Sequence, residues 1–284
     1  MNIKYFFDKK TFTLTYVVYD EQSNDAIVID PVLDYDPPSG KVTFESFEKL
    51  ISFLKEKNLN LKMILETHAH ADHISSSQNI KEVFPDAVLA ISEHITEVQK
   101  VFKNVFNLED DVKVDGSQFD RLLKDGETIG AGTLEFKVIH TPGHTPACAS
   151  FYFDGAVFTG DTLFMPDFGT GRCDFPDGSS KVLYDSIQRK LYELPENTKV
   201  YVGHDYMPNG RDLAFISTIK DEKLSNCHLT SDTNEAEFVE MRDQRDRQLS
   251  APNLLLPSIQ ININAGHLPA AESNGIRYLK LPIG

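Results

Sequence analysis

Thr67-His68-Ala69-His70-Ala71-Asp72-His73 gathers three imidazoles and a carboxylate into six consecutive positions, His68 to His73. Neutral imidazole nitrogens and carboxylate oxygens are the donors that suit zinc, iron or manganese. Without a cation, the same cluster is costly to take out of water. The apolar run Met63-Ile64-Leu65 just before it reads as a buried strand ending at the cluster. Three of the chain's nine histidines fall in this stretch, a density that a polar surface loop with scattered histidines does not explain. The stretch is read as a metal site at a strand end.

Three more segments bring candidate ligands in the same way. Phe136 to Ile139 leads into His140-Thr141-Pro142-Gly143-His144, Ala156-Val157-Phe158 into Thr159-Gly160-Asp161, and Val200-Tyr201-Val202 into Gly203-His204-Asp205. Each is a β-branched or aromatic run that ends in a Gly or Pro turn, with a candidate ligand just past it. Strands in the same or facing sheets would bring His68, His70, Asp72, His73, His144, Asp161 and His204 to one rim. Strand ends hold ligands rigidly and leave the open side to a substrate.

Composition narrows the class. At 284 residues, with 40% apolar and 25% charged residues, the chain reads as an ordinary globular protein with room for a large core. A formal charge of −15 argues against a nucleic-acid partner, because no basic stripe meets phosphates. Cys148, Cys173 and Cys227 are widely separated and offer neither a disulfide framework nor a CxxC zinc site. The first ten residues contain no long apolar core of a secretory signal, and no run approaches membrane-spanning length. The expectation is a reducing, cytoplasmic location with no membrane partner.

The pattern predicts strands over residues 12–19 and 26–30, joined by a turn around Ser23-Asn24-Asp25, and then a loop from Pro31 to Lys41. Phe44, Phe47, Leu50, Ile51 and Leu54 recur at helical spacing, with Thr43 as N-cap. Asp72 onward is expected to open a helix that stops before Pro85, with Asp72 and His73 in its first turn. A strand over 87–91 and a helix from about Glu93 to Lys103 follow. Asp154-Gly155 between apolar runs predicts a hairpin with a type I′ turn. Val182, Leu183, Ile187 and Leu191 form the apolar face of another helix, and Thr230 to Asp246 reads as a solvated charged helix. No linker divides the chain. The expectation is a single α/β domain over 1–284, with a C-terminal extension from about residue 207 and two mixed sheets between helical layers.

The order H-x-H-x-D-H over His68 to His73, followed by His144, Asp161 and His204, resembles the metallo-β-lactamase superfamily over roughly residues 10 to 210. The resemblance implies an αββα sandwich with metal at one edge of the sheets. Within it, similarity to dinuclear hydrolases of the glyoxalase II type would place one zinc on His68, His70 and His144. A second Zn would sit on Asp72, His73 and His204, with Asp161 bridging. Similarity to the persulfide dioxygenases would instead place one Fe(II) per chain on His68, His144 and Asp161. His70, Asp72, His73 and His204 would then orient those ligands from outside.

Gly169-Thr170-Gly171-Arg172-Cys173-Asp174-Phe175 and His204-Asp205-Tyr206 look like elements of the dioxygenase branch. Residues 160–176 and the closing segment Leu256 to Gly284 resemble still more the bacterial β-lactamase hydrolase-like proteins tied to sulfide detoxification. The resemblance implies oxidation of glutathione persulfide, or a related low-molecular-weight persulfide, by O₂ to sulfite and thiol. It also implies a functional link to a sulfurtransferase, and dimers are common among relatives. A carboxylate-bearing carrier needs cationic and phenolic anchors. Arg172, Tyr206 and Lys223 are the candidates by resemblance, with Arg211 as a substitute for Lys223. Arg172 is equally open to an ion pair with Asp174. Cys173 reads as a small buried hydrophobe rather than a nucleophile. His94, His228 and His267 stand in no ligand pattern, and His140 is open to either a structural or a ligand-orienting role.

Overall fold

The computed structural model describes residues 1–108 and 112–283; Gly284 of the closing segment lies outside the described residues. Two six-stranded mixed sheets pack against each other. The first has the order Asn2–Phe7, Leu14–Tyr19, Asp25–Ile29, Asn60–Leu65, Val88–Ser92, Arg121–Leu123. Its first three strands are antiparallel, and the others join in parallel. The second runs Thr128–Ala131, Leu134–His140, Ala149–Phe153, Ala156–Phe158, Lys199–Tyr201, Ile216–Thr218. It is antiparallel except where Ala156–Phe158 meets Lys199–Tyr201.

Period-two alternation explains the layering. Leu14, Tyr16 and Val18 join the core shared with Phe136, Phe151 and Phe158 of the second sheet. Val17 and Tyr19 point the other way, toward the helices Glu45–Glu56, Ile95–Val105 and Leu255–Asn262. The helices Ser180–Ser186 and Glu235–Asp246 cover the second sheet through Leu183 and Phe238. Each fully buried phenylalanine contributes about 1.5–3 kcal/mol relative to exposure. The expected αββα sandwich is what forms. The chain beyond residue 207 feeds both cores, Ile219 and Phe238 one and Ile259 and Ile263 the other.

At one rim, backbone hydrogen bonds tie the two sheets together. Leu14 N donates to Gly203 O (2.8 Å) and Ala149 N to Thr67 O (2.9 Å), and within the second sheet Gly203 N donates to Gly160 O (3.2 Å). Thr67, Gly160 and Gly203 lie in the turns that follow ligand-bearing strands.

Several local expectations fail for identifiable reasons. Asp72 and His73 lie in a bend rather than a helix, followed by a short strand, Ile74–Ser75, with the helix only at Ser77–Val83. The bend's carbonyls are engaged by Asn262 from another element. Val32–Asp36, read as loop, is a strand paired with Lys41–Thr43 and Ile74–Ser75; its Leu33 packs on Ile74 and Ile261. Thr43 does not cap the next helix: the Asp34 carboxylate reaches across to accept from Ser46 N (2.7 Å).

In the Asp154-Gly155 turn only Gly155 takes positive φ (78°), whereas type I′ needs it at both positions. Val182 is 39% exposed, so that helix buries Leu183, Ile187 and Leu191 instead. The charged helix Glu235–Asp246 is solvated on one side only, because Phe238, Arg242 and Asp246 are buried at i, i+4, i+8 spacing.

Candidate metal centre

The His68–His73 loop is shaped by Asp30, a buried carboxylate with φ +50° just past the strand Asp25–Ile29. Asp30 accepts Thr67 N (2.7 Å), the Thr67 hydroxyl (2.8 Å) and His70 Nε2 (3.0 Å). Two tautomers follow. With its proton committed to Asp30, the Thr67 hydroxyl accepts from His68 Nδ1 (3.0 Å), which leaves His68 Nε2 as a bare lone pair. His70 donates from Nε2 to Asp30, with Glu66 Oε2 also 3.4 Å away; burial works to lower its pKa, but Asp30 and Glu66 hold it well above the ordinary histidine range, so Nδ1 is the nitrogen left to a cation that displaces the second proton.

The second sheet supplies the facing donors. His144 Nδ1 donates to Arg172 O at 2.6 Å, which turns Nε2 toward Asp161 Oδ2, 3.6 Å away. His68 Nε2 is 3.9 Å from the same oxygen. His204 Nε2 lies 3.2 Å from both Asp161 Oδ1 and Asp72 Oδ2. Donors of His68, His144 and Asp161 fall within 4.8 Å of one another, as do those of His70, Asp72, His73 and His204. Gly171 is required here, because a Cβ would meet Asp161 O at 1.9 Å.

These residues fit a metal ion on their own chemistry. His68 Nε2, His70 Nδ1, Asp72 Oδ2, His73 Nε2, Asp161 Oδ1 and His204 Nε2 are buried without a hydrogen-bond partner. So many orphaned donors and acceptors in one place are costly unless a cation takes their lone pairs. Burial, reinforced by the His70 and His144 imidazoles, holds His68 well below the ordinary histidine range. It therefore offers a neutral ligand at pH 7. Burial works to raise Asp72, but His204 and His73 hold it well below the carboxylate range.

Asp72, His144 and Asp161 open into a cavity of about 550 Å³ walled by Phe12, Phe164, Phe168 and Phe175. Of the predicted substrate residues, Arg172 and Tyr206 line it. Tyr206 stacks on His204 with ring centroids 5.7 Å apart. Arg172 grips Asp174 through two 2.6 Å bonds and Ser250 O at 2.7 Å, which leaves guanidinium hydrogens over. Arg211 and Lys223 do not line this cavity; Arg211 is engaged bidentately by Asp205 and Asp167.

Burial pushes the Cys173 thiol far above its ordinary value, which keeps it protonated and inert. His140 bonds Leu123 O at 3.1 Å, outside the donor clusters. His228, which stands in no ligand pattern, lines the cavity while its Nδ1 accepts Thr170 N (3.0 Å).

The sequence reading missed several supports. Asp30 ends a strand before a proline, the same habit that betrayed the other ligands, and that signal was available. Glu66 directly precedes the cluster. Arg242, 1% exposed, donates to Asp246 (2.9 Å) and Thr170 O (3.1 Å), and Asp246 accepts Cys173 N (2.7 Å). The helix thus holds the loop whose Arg172 carbonyl orients His144. Nothing local in the sequence announces that pairing.

Clustered histidine and carboxylate donors on the strand-end loops of an αββα sandwich define a metal-site protein of one superfamily. Residues 9–204 match the metallo-β-lactamase superfamily, and the chain belongs to it. Its similarities within that family are more particular. It is 48% identical over 282 residues to Glyoxylase B2 of Dictyostelium discoideum, covering 99% of this chain and 96% of that protein. It is 42% identical over 282 residues, 99% of the chain, to the β-lactamase hydrolase-like protein of Agrobacterium fabrum, of which it spans 64%. To the mitochondrial persulfide dioxygenase ETHE1 of Bos taurus it is 30% identical over 93% of the chain and 88% of that protein. The crystal structure of ETHE1 from Myxococcus xanthus superposes with a TM-score of 0.75 at 30% identity, covering 94% of this chain and 100% of that one. No described helix is long and apolar enough to cross a membrane.

Proposed function

We propose that the protein is an iron-dependent persulfide dioxygenase. It would oxidise glutathione persulfide, or a related low-molecular-weight persulfide, with O₂ to sulfite and thiol. One observation carries this reading: donors of two histidines and one carboxylate, His68, His144 and Asp161, lie within 4.8 Å of one another, and two of the three, His144 and Asp161, line the open cavity. That set suits Fe(II) with positions left for ligands. Similarity to ETHE1 over most of the chain supports it.

In this reading one Fe(II) per chain is held by His68, His144 and Asp161, and His70, Asp72, His73 and His204 orient and tune them. When bound, Fe(II) supplies one-electron chemistry that zinc does not. The chain's own residues position the persulfide and exclude water. Burial, with the Asp72 and Asp161 charges, pushes the Tyr206 phenol well above its ordinary range, so it remains a hydrogen-bond donor to the substrate. Arg172 offers its remaining N–H groups to a carboxylate, and Phe164 and Phe168 keep the wall apolar. The sulfur–sulfur bond breaks, the outer sulfur ends as sulfite with two oxygens from O₂ and one from water, and the carrier leaves as thiol.

A second reading has a specific observation behind it. Donors of Asp72, His73 and His204 also converge within 4.8 Å, the second zinc set of a dinuclear thioester hydrolase of the glyoxalase II type, although His70 groups with them rather than with His68 and His144. The name of the Dictyostelium relative points the same way. The deciding experiment runs Fe(II)-loaded protein on glutathione persulfide beside zinc-loaded protein on S-lactoylglutathione. Oxygen uptake by the first, abolished in His144→Ala, with negligible hydrolysis by the second, is expected. Hydrolysis without uptake overturns the dioxygenase reading in favour of the hydrolase.

A further inference from the structure

We propose that Arg211 is a positioning residue: by clasping Asp205 and Asp167 together it fixes the Tyr206–Phe168 ring pair in the cavity wall. Its effect on turnover rests on the preceding functional reading, in which Tyr206 donates a hydrogen bond to the substrate. The clasp itself stands on geometry.

A guanidinium offers five N–H groups in a rigid planar fork, and Arg211 has an acceptor for each. Nη1 and Nη2 donate to Asp205 Oδ2 and Oδ1, both at 2.7 Å. Nε and Nη2 donate to Asp167 Oδ2 (2.5 Å) and Oδ1 (2.9 Å). The remaining Nη1 hydrogen goes to Asp212 O at 2.9 Å. The charge is spent entirely within the protein. Paired bonds to two carboxylates fix direction as well as distance.

The places of those carboxylates in the chain say what is being fixed. Asp205 directly precedes Tyr206, and Asp167 directly precedes Phe168. Tyr206 and Phe168 both line the cavity, with ring centroids 4.7 Å apart. Tyr206 also packs on Phe164 (6.2 Å) and on the metal-site imidazole of His204 (5.7 Å). One guanidinium therefore joins the residues next to each ring of the pair.

The two sides of the clasp are held differently. The turn that bears Phe168 has its own anchors, because Cys227 N donates to Pro166 O (2.8 Å) and Asn226 Nδ2 to Gly169 O (3.2 Å). The stretch 206–214 has none of that kind. Among the described residues, its hydrogen bonds close within the stretch or on Asp205, except those from Arg211 to Asp167. Its backbone includes Met207 at φ 48° and Asn209 at φ 59°, a region that residues with a side chain rarely adopt. Such a conformation persists only where the surroundings hold it. Buried Asp205 accepts Met207 N (3.3 Å) and Ala214 N (2.8 Å) at the two ends of the stretch, and Arg211 docks the whole onto the Phe168 turn.

Two variants open the clasp without stranding a buried charge. Arg211→Lys keeps a cation beside Asp205 but loses the paired bonds to two carboxylates. Asp167→Ala removes the exposed partner. The chain contains no tryptophan, so Tyr206→Trp puts a single indole at the wall, and its time-resolved fluorescence anisotropy is read in zinc-loaded protein. Arg211→Lys and Asp167→Ala, each added to Tyr206→Trp, are expected to introduce a fast side-chain depolarisation that the parent lacks. Arg189→Ala, which breaks the exposed pair with Asp185, is expected to introduce none. With Fe(II)-loaded protein and glutathione persulfide, Tyr206→Phe and Arg211→Lys should each lower kcat/KM about tenfold, the scale of one lost hydrogen bond. The double variant should fall little below either single one, since both remove the same interaction. Anisotropy unchanged by both openings, or kinetic losses that multiply in the double variant, overturns the positioning role. If wild type oxidises no persulfide, the functional reading fails separately, and the anisotropy alone decides the clasp.

Discussion

Replacing Asn262 by alanine tests how the C-terminal helix supports the metal loop. Asn262 is 5% exposed and ends the helix Leu255–Asn262. Its amide donates to His70 O (2.8 Å) and His73 O (2.7 Å), and its carbonyl accepts Ser75 N (2.9 Å). One side chain therefore fixes the backbone on both sides of Asp72. Each such bond contributes about 1 kcal/mol net, and truncation leaves its partners unpaired in a dry site. The expected loss is about 3 kcal/mol of unfolding free energy in urea, with m unchanged. The loop's histidines lose their register, so metal affinity measured by chelator competition should fall about 10-fold or more, the scale seen when outer supports of ligands are removed. Asn262→Asp keeps the acceptor for Ser75 but sets a carboxylate against two carbonyls, and should be at least as damaging. A loss under about 1 kcal/mol with unaltered metal affinity would refute the clamp.

Other perturbations give distinct outcomes. Arg242→Met strips the buried Asp246 of its cation, and breaking such a pair costs about 3–5 kcal/mol; Arg242→Met with Asp246→Leu should recover part of the loss, read from denaturation midpoints. Cys173→Ala should retain turnover within about twofold, because burial keeps that thiol protonated; complete loss of turnover in a folded variant would make it a reactive group after all. Burial pushes Glu222 up to about 7 from an ordinary 4.5. Its unfolded form releases the proton first, so stability from this group is full below about pH 4.5 and falls as pH rises, levelling off above about 7. The contribution lost is about 3 kcal/mol in all. Glu222→Gln should flatten that slope in urea titrations across the same window, and an unchanged slope would contradict the shift.

Much of this arrangement was legible because metal ligands sit next to local signals. His68 to His73, His144, Asp161 and His204 each follow an apolar run and a turn, and the fold brings those strand ends together through three rim hydrogen bonds. What escaped depends on contacts distant in sequence. The Asp72–His73 bend is not helical because Asn262, 189 residues beyond His73, holds its carbonyls. Val32–Asp36 becomes a strand only because Ile74–Ser75 and Lys41–Thr43 offer partners. Arg242 and Asp246 looked solvated because charge in a helix usually is; here each is the other's counter-ion inside the protein. Asp30 carried the same strand-end signal as the ligands and differs from them in reaching the site through His70 and Thr67.

The most direct test of the central claim is a stoichiometry on one sample. Fe(II) per chain is measured, glutathione persulfide is added, and O₂ consumed and sulfite formed are recorded together. The account predicts one iron per chain and equal amounts of O₂ and sulfite, with both signals lost in Asp161→Ala. Sulfite absent while iron is verified at the site, or turnover that needs two metals per chain and no oxygen, would contradict it.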